Sequence, residues 1–560
     1  MKVSTLQVAT VTLVFMAICG CAVSSESPLP MIYDMVHHNP GEPLYESRYN
    51  NPATLKEMGF NGKVYYLFDS PQLAVNWDSV NPDILPDGSE AEKWVNQKAT
   101  RLHREYKRCQ QAGIQVYAMS DLILLPKRLI EKFEMEKTFG DPKDPKTQKY
   151  LRHLLDLMFE QFPELDGLVV RIGETYLHDA PYHRGFIKNK TSPEETIVPL
   201  MQLLREEICV KRNKQLVFRT WLSFDRDLKT YMAVSDAVEP HEKLTFSIKH
   251  CEDDFHRGNP FSKIIGQGRH RQIIEIQCAR EYEGKGAYPN YISNGVIEGF
   301  EEHKISMANE QIKCLRDVYT KSNLLKGIWT WTRGGGWEGP YISNELWCDL
   351  NAWVMAQWAN NPASSEESIF NRYAGERLWL KGDDVKKFRQ LCLLSADAAI
   401  RGRVSTYSDV SGWWTRDQYI GWPKLPEETD RQKRLLAQKD EAVDMWEKIV
   451  KLADSINFPD TETAEYVRVS CRYGLHLYRI YRCVFNLAAL EKSDDKMAIQ
   501  RWIAEYDRAW KDYVQLKDKN PCCATLYSRT ELKRSSFNPA ADVKIEKMRK
   551  IISSQTVEQR

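Results

Sequence analysis

The sequence lacks a surplus of charge of either sign. Its 78 lysine and arginine residues nearly equal its 77 aspartate and glutamate residues, and the formal net charge is +1. A protein whose main partner is nucleic acid needs a basic surplus, because lysine and arginine neutralise the phosphate backbone. The balance of charges therefore argues against nucleic acid as a partner.

Signatures of several other protein classes are also missing. None of the 13 cysteines pairs with another at the spacing of a zinc site. No Gly-x-Gly-x-x-Gly follows the first predicted strand, and no Gly-x-Ser-x-Gly marks a serine nucleophile. The adjacent His37 and His38 would point to opposite sides of a strand, which makes them a poor metal pair. We therefore expect no metal and no cofactor.

Long apolar runs are missing except near the N-terminus. There Lys2 precedes the run VATVTLVFMAICGC, and the polar stretch AVSSESP follows it. This pattern is typical of a secretory signal peptide, and the run is too short to span a membrane. The run ends in Ile-Cys-Gly-Cys, which resembles a bacterial lipobox and predicts lipidation of Cys21; an ordinary cleaved signal is the alternative. We expect a membrane-anchored lipoprotein, periplasmic or at the cell surface.

Short apolar segments that indicate β-strands recur between residues 28 and 340. They alternate with helix-length segments of mixed polarity, for example 91–113 and 147–162. Strands that alternate with helices indicate parallel βαβ units, and eight such units predict a closed barrel. A doubly wound open sheet is the alternative. The predicted strands are 31–37, 62–68, 114–120, 167–173, 216–222, 244–250, 273–279 and 327–333.

From about residue 345 the pattern changes to long helical segments. The stretches 466–487 and 502–516 carry aromatic residues at helical spacing, which is typical of helices that pack on one another. We therefore predict the α/β fold class, with a (β/α)8 TIM barrel over residues 28–343 and an all-α helical domain over residues 344–560. The signal peptide occupies residues 1–21.

Polar and aromatic side chains gather where the predicted strands end. In a (β/α)8 barrel these C-terminal ends form the mouth at which chemistry takes place. Carboxylates suit acid–base catalysis, indole rings suit the apolar faces of sugars, and cations suit hydroxyl or acid groups. Each residue taken singly is more often half of a structural ion pair, but together they predict a sugar site. The predicted residues are Arg171, Glu174, Arg219, Trp221, Lys249, Asp254, His256, Arg280, Glu281, Trp331, Arg333, Trp337 and Glu338.

The segment LTFSIKHCEDDFHRGNPFSKIIGQGRHRQIIEIQCAREYEGKGAYPNYI, residues 244–292, resembles a known signature. It is similar to the middle domain of the α-glucuronidases of glycoside hydrolase family 67, which share its Pro-Phe-Ser, its Glu-x-Gln strand and its Glu-Tyr-x-Gly. The resemblance continues in FPELDGLVVRIGET, LVFRTWLS and GWEGPYISNELWCDLNAWVMAQWANNP. It covers roughly residues 30–375 and implies a barrel followed by a helical domain.

The resemblance also implies roles for particular residues. Glu174 matches the family's general acid, while Arg171 and Arg219 fall where cations hold the uronate carboxylate. The segment GVIEGFEEHK stands where the family has a catalytic base, so Glu301 or Glu302 is the candidate. The family is inverting, and inverting enzymes keep their two carboxyl groups about 6.5–9.5 Å apart to leave room for water.

The chain departs from the family at several of these positions. Residues 295–297 read Gly-Val-Ile where the family has Trp-Lys-Glu, and His256 and Arg280 replace glutamines. Glu338 stands near the place of the family's second catalytic carboxylate. These differences favour an acidic oligosaccharide other than glucuronate linked to xylan.

Three functions remain open on the sequence alone. The first is an inverting, α-glucuronidase-like hydrolase of an α-linked acidic sugar. The second is a glycosidase with the same barrel and a different, neutral sugar. The third is a surface-tethered glycan-binding protein that kept the barrel and lost catalysis. In each case the partner is an oligosaccharide or polysaccharide, the lipid at Cys21 attaches the chain to a membrane, and a homodimer is left open.

Overall fold

The protein is built around a closed β-barrel. The computed structural model describes residues 28–38, 46–174, 177, 180–304, 311–336, 339–415, 419–529 and 539–557. The strands in these ranges are β1 (Met31–His37), β2 (Gly62–Tyr65), β3 (Gln115–Asp121), β4 (Leu124–Pro126), β5 (Gly167–Arg171), β6 (His183–Gly185), β7 (Gln215–Arg219), β8 (Leu244–Lys249), β9 (Arg271–Gln277) and β10 (Leu325–Gly334). Eight of these described strands are parallel and close in the order β1-β10-β9-β8-β7-β5-β3-β2, which confirms the predicted (β/α)8 barrel. The other two, β4 and β6, form an antiparallel pair.

Helices surround the barrel and make up the C-terminal region. The α-helices of the described residues are α1 (Pro52–Met58), α2 (Glu90–Gln111), α3 (Lys127–Lys132), α4 (Pro145–Gln161), α5 (Val198–Leu204), α6 (Leu228–Ala237), α7 (Ser293–Glu298), α8 (Glu301–Lys304), α9 (Leu315–Lys321), α10 (Leu346–Asn360), α11 (Glu366–Glu376), α12 (Asp383–Arg403), α13 (Thr429–Ser455), α14 (Thr461–Ala489), α15 (Lys496–Lys519) and α16 (Ala541–Val557). Short 3-10 helices cover Arg48–Asn50, Leu67–Asp69, Pro71–Ala74, Pro82–Ile84 and Gly412–Trp414, and π-helical turns at Pro193–Ile197 and Arg205–Val210 flank α5.

Alternation along each strand separates two hydrophobic cores. On β1, Met31, Tyr33 and Met35 belong to a small cluster that fills the barrel interior. Ile32 and Val36, which point the other way, belong to the larger core between the barrel and its helices. Because parallel strands of a barrel are buried on both faces, they read as nearly continuous apolar runs. That is why the eight strands could be recognised in the sequence.

The first turns of two predicted helices are capped. The Ser89 hydroxyl accepts a hydrogen bond from the Glu92 amide (3.2 Å) at the start of α2. The Asp144 carboxylate accepts one from the Thr147 amide (2.8 Å) at the start of α4, where Pro145 occupies the first turn. Such caps satisfy amide groups that have no partner inside the helix. The predicted segments 91–113 and 147–162 thereby begin within two residues of the observed helices.

Helix α10 joins the barrel to the C-terminal helices. Near its end, the Ala359 carbonyl accepts a hydrogen bond from the Leu29 amide (2.9 Å), just before β1 begins. The helix packs against β10, β1 and α1, and also against α11. It therefore takes the place of the eighth barrel helix, while α12, α13, α14 and α15 pack in succession beyond it. The boundary between residues 343 and 344 stays a prediction.

Several strands end earlier than the sequence predicts. The second was expected over 62–68, but β2 covers Gly62–Tyr65 and the chain turns into a 3-10 helix at Leu67–Asp69. These strands turn at the barrel mouth, where apolar residues continue into loops that are themselves buried. Cys21, the predicted lipidation site, lies outside the described residues. Among the helices that the structure describes, none is long and apolar enough to cross a membrane.

Candidate active site

The end of β5 holds an arginine between two carboxylates. The Arg171 guanidinium is buried, with its Nε 3.7 Å from Asp121 Oδ1 and its Nη2 3.3 Å from Glu174 Oε2. Asp121 is fully buried, whereas 35% of the Glu174 side chain is exposed. Strand alternation alone would place Arg171 and Glu174 on opposite faces. They meet because β5 ends at Arg171 and the chain bends at Gly173, where a side chain would clash with the carbonyl of Trp221.

A second arginine is held inside the barrel. Both Nε and Nη2 of Arg219 donate to Glu275, at 2.8 and 2.7 Å, and the Ser247 hydroxyl donates to the same carboxylate at 2.7 Å. The guanidinium carbon lies 5.6 and 5.1 Å from the ring centres of Trp329 and Trp331. Arg219 was predicted to bind the sugar carboxylate; in the structure it is paired with a carboxylate of the protein, and its role toward a sugar stays a prediction. Glu275 was not predicted, although the alternation in IIEIQ marks it as a charged residue on an inward strand face.

The predicted residues Lys249, Asp254 and Trp221 do come together. Lys249 Nζ donates to Asp254 Oδ1 (2.6 Å) and lies 3.1 Å from the centre of the Trp221 ring. The other oxygen of Asp254 accepts a hydrogen bond from the hydroxyl of Tyr282. All four side chains are buried or nearly so. They form a continuous wall that joins the ends of β7, β8 and β9.

Asp225 stands at the end of the fifth predicted strand without an assigned role, and its environment is unusual. It follows β7, and burial raises its pKa to about 6, although the charges of Lys249 and Arg219 act in the opposite direction. Its Oδ1 atom is buried and has no hydrogen-bond partner among the described residues. A carboxyl group with such a pKa can exchange its proton near neutrality. The sequence feature that points to this residue is its place shortly after the predicted apolar strand 216–222.

Replacing Asp225 by asparagine is expected to stabilise the protein at pH 8 and to change little at pH 4. The native pKa of about 6 lies above the ordinary value of 3.8, so the folded state holds the proton more tightly. That contribution is complete at low pH and is lost as the pH rises through 6. A difference of about two units between the native and the ordinary pKa corresponds to ~3 kcal/mol of the free energy of unfolding at most.

The measurement is the melting temperature of wild type and Asp225→Asn between pH 4 and pH 8. The difference between the two proteins should grow with pH. Asp236→Asn is the control, because Asp236 is an exposed carboxylate on α6 and should show a small difference at every pH. A difference for Asp225→Asn that does not vary with pH would contradict the raised pKa.

The charges that follow β9 are mostly paired with one another. Arg280 donates from Nε and Nη2 to Glu283 at 2.9 and 3.1 Å, and Asn290 donates to the same carboxylate at 2.7 Å. Burial raises the pKa of Glu283, but the charge of Arg280 outweighs it and leaves the pKa at about 2. The Glu281 amide donates to the side-chain oxygen of Gln277 (2.7 Å). The loop after β9 thus contains a buried, ionised pair of Arg280 and Glu283.

The two predicted bases lie on α8. Glu301 is on the exposed face of that helix, and Glu302 accepts hydrogen bonds from Nε and Nη2 of Arg257 at 2.5 and 3.1 Å. Arg257 also pairs with Asp397 of the helical domain (2.8 Å). Burial raises the pKa of Glu302, but its bonds with Arg257 lower it overall. His256, next to Arg257, is buried, and burial followed by the charge of Arg403 lowers its pKa to about 3.

The end of β1 carries a buried histidine. The ring of His37 stacks on Trp331, with 4.9 Å between ring centres. Burial lowers the pKa of His37 far below its usual value, and the charges of Arg171, Arg219, His38 and Lys285 lower it further. Among the described residues, no group of three or more histidine, cysteine or acidic side chains is placed to hold a metal ion.

The end of β10 closes the ring of strand ends. Arg333 donates from Nη1 to Glu345 (3.0 Å) and from Nη2 to the Ile342 carbonyl (3.0 Å), so it braces the loop that leads to α10. Gly335 has a φ of 98°, and a side chain there would clash with Gln277. The glycine run therefore lets the chain pass close over β9. Two further predicted residues, Trp337 and Glu338, lie outside the described residues.

Comparison with known proteins identifies the fold. No protein-family model matches the sequence, and no curated protein sequence matches it. A solved structure described as a GH138 enzyme targeting pectin rhamnogalacturonan II is similar over 94% of this chain and 68% of that one, with 13% identity and a TM-score of 0.56. CpGH84B is similar over 93% of this chain and 77% of that one, with 9% identity and a TM-score of 0.44. The resemblance to family 67 remains a prediction, while the chain shares its fold with a glycoside hydrolase.

Proposed function

We propose that the protein is a glycoside hydrolase that acts on an oligosaccharide or polysaccharide carrying an acidic sugar, a uronate. The fold shared with a GH138 enzyme supports the class of reaction. The resemblance of the strand ends to the α-glucuronidases supports the acidic sugar. The half-exposed Glu174, held by Arg171 at the end of β5, supports the position of the chemistry.

The observation that carries the acidic substrate is the positive charge around His37. Arg171 at the end of β5, Arg219 on β7 and Lys285 after β9 all act on this one buried ring at the end of β1. Glu275 neutralises Arg219, and Arg171 is shared by Asp121 and Glu174. A ligand carboxylate could form charge-assisted hydrogen bonds with Arg171 and Lys285, which a neutral sugar could not.

Glu174 would protonate the leaving oxygen. In the structure Arg171 Nη2 lies 3.3 Å from Glu174 Oε2, so the arginine orients this carboxyl group at the end of β5. The side chain of Glu174 is 35% exposed and can therefore meet a substrate.

Asp225 is the best-supported partner of Glu174. The loops that carry these two residues touch where Gly173 packs on the Trp221 carbonyl. With a pKa of about 6, Asp225 would be ionised at neutral pH and still basic enough to activate water. Glu302 is less suited, because its bonds with Arg257 lower its pKa. We therefore propose Asp225 as the general base in place of Glu301 or Glu302.

The test is the release of reducing sugar from uronate-bearing oligosaccharides and from neutral controls. Wild type should act on the acidic substrates, and Asp225→Asn should lose at least about 100-fold in kcat, as expected for a missing acid–base group. For wild type, kcat/KM should rise with pH through about 6, as Asp225 of the free enzyme ionises. No release from any acidic substrate, with binding retained, would instead favour the glycan-binding protein.

Lys285→Met tests the recognition of the acid group separately from catalysis. Because Lys285 is a buried cation at the mouth, its loss should raise KM for the uronate substrate by about tenfold or more, the value of a hydrogen bond to a charged group. kcat should change little. Lys326→Met is the matched control, since Lys326 is at the start of β10, at the other end of the barrel. Equal KM values for Lys285→Met and wild type would count against this role.

A further inference from the structure

A loop of the helical domain lies against the mouth of the barrel. It follows α12 and covers residues 404–415, here called the α12 loop. The Ser408 hydroxyl donates to the Gly258 carbonyl (3.2 Å) in the loop after β8. The ring of Trp413 meets the ring of Tyr282, after β9, edge to face with 5.1 Å between centres. A side chain on Gly412 would clash with His256, so the two domains are in close contact here.

The α12 loop is held in place by a buried arginine. Arg403, the last residue of α12, donates from Nη2 to the carbonyls of Gly412 and Thr415. Its own carbonyl accepts a hydrogen bond from the indole of the buried Trp414 (2.7 Å). These bonds fix the backbone on both sides of Trp413. The backbone position of Trp413 is therefore set by the fold.

Trp413 extends the wall already described at the strand ends. Tyr282, which it contacts, donates to Asp254, and Asp254 is held by Lys249. Lys249 in turn lies over the Trp221 ring at 3.1 Å. One wall of the mouth thus runs from Trp221 on the barrel to Trp413 on the helical domain. Trp413 differs from Trp414 in being only half-buried, so part of this residue is accessible to solvent.

We propose that the indole of Trp413 stacks on the apolar face of a sugar unit of the substrate. This unit is the neighbour of the sugar whose glycosidic bond is cut. The inference rests on the proposed function. An aromatic ring offers a large apolar surface at a small cost in conformational entropy, which suits the flat face of a pyranose. The helical domain then completes the substrate site and makes the enzyme selective for oligosaccharides over single sugars linked to a small leaving group.

The experiment compares Trp413→Ala, Trp413→Phe and wild type on two substrates, a 4-nitrophenyl uronide and a uronate-bearing trisaccharide. Trp413→Ala should raise KM for the trisaccharide about five- to tenfold and leave kcat for it unchanged. Neither KM nor kcat for the 4-nitrophenyl uronide should change. Trp413→Phe should have a KM for the trisaccharide close to that of wild type, because a phenyl ring keeps an apolar face. Trp379→Ala is the matched control, since Trp379 is a more exposed tryptophan of the same domain, 60% accessible.

Binding of the trisaccharide, measured by calorimetry on the same variants combined with Glu174→Gln, separates this inference from the proposed function. No hydrolysis by wild type, together with weaker binding after Trp413→Ala, would refute the hydrolase and support the role of Trp413. Hydrolysis with identical KM and Kd for Trp413→Ala and Trp379→Ala would refute the role of Trp413 alone. No binding of the trisaccharide to any variant would overturn both.

Discussion

Replacing Glu174 by glutamine should lower kcat on a uronate-bearing oligosaccharide by about 10²–10⁴-fold, the usual contribution of a general acid. Glutamine keeps the size of the side chain and can still contact Arg171, 3.3 Å away in wild type, but its amide has no proton acidic enough to transfer to the leaving oxygen. Substrate binding should therefore be retained. The loss should fall on the chemical step and appear in kcat.

The leaving group offers a sharper version of this test. A 2,4-dinitrophenyl uronide needs no protonation of its leaving oxygen, so Glu174→Gln should cleave it at a rate close to that of wild type. The matched control is Glu160→Gln, an exposed glutamate on α4, which should resemble wild type on both substrates. Equal losses on both substrates would mean that Glu174 has a role other than acid catalysis. Full activity on both would place the acid elsewhere.

Replacing Arg219 by methionine should cost about 3–5 kcal/mol of the free energy of unfolding, the usual effect of removing one partner of a buried ion pair. The side chains of Arg219 and Glu275 are 2% and 1% exposed, and two hydrogen bonds join them. Without the guanidinium, Glu275 is left as a buried charge whose only remaining side-chain donor among the described residues is Ser247. Urea unfolding monitored by circular dichroism measures the loss.

The double variant Arg219→Met/Glu275→Leu should recover most of that stability, because it removes the stranded charge as well. Arg269→Met is the control: Arg269 pairs with Glu239 at the surface, where such pairs contribute about 0–1 kcal/mol. A small loss of stability in Arg219→Met, together with a large rise in KM for the uronate substrate, would contradict a mainly structural role for Arg219. It would favour the role in binding the uronate carboxylate that the resemblance to family 67 implies.

The sequence predicted residues at the mouth better than it predicted their partners. Arg171 and Glu174 stand at the end of a recognisable strand, and strand ends meet at one face of a barrel. Their contact depends on the bend at Gly173, which alternation does not describe. Likewise Arg219 was correctly placed in the barrel, but its choice of Glu275, 56 residues away, depends on the register of β7, β8 and β9. The pKa of Asp225 depends on how deeply the fold buries it.

By itself, the sequence determined the barrel and the helical character of the region that follows it. Each barrel strand is buried on both faces and therefore had to be apolar along its length, which is a local and readable pattern. Only the tertiary structure decided which charges pair, that burial raises the pKa of Asp225, and that Trp413 from the helical domain reaches Tyr282. These properties depend on distances between segments far apart in the chain, and on the water that packing removes around them, neither of which a linear pattern records.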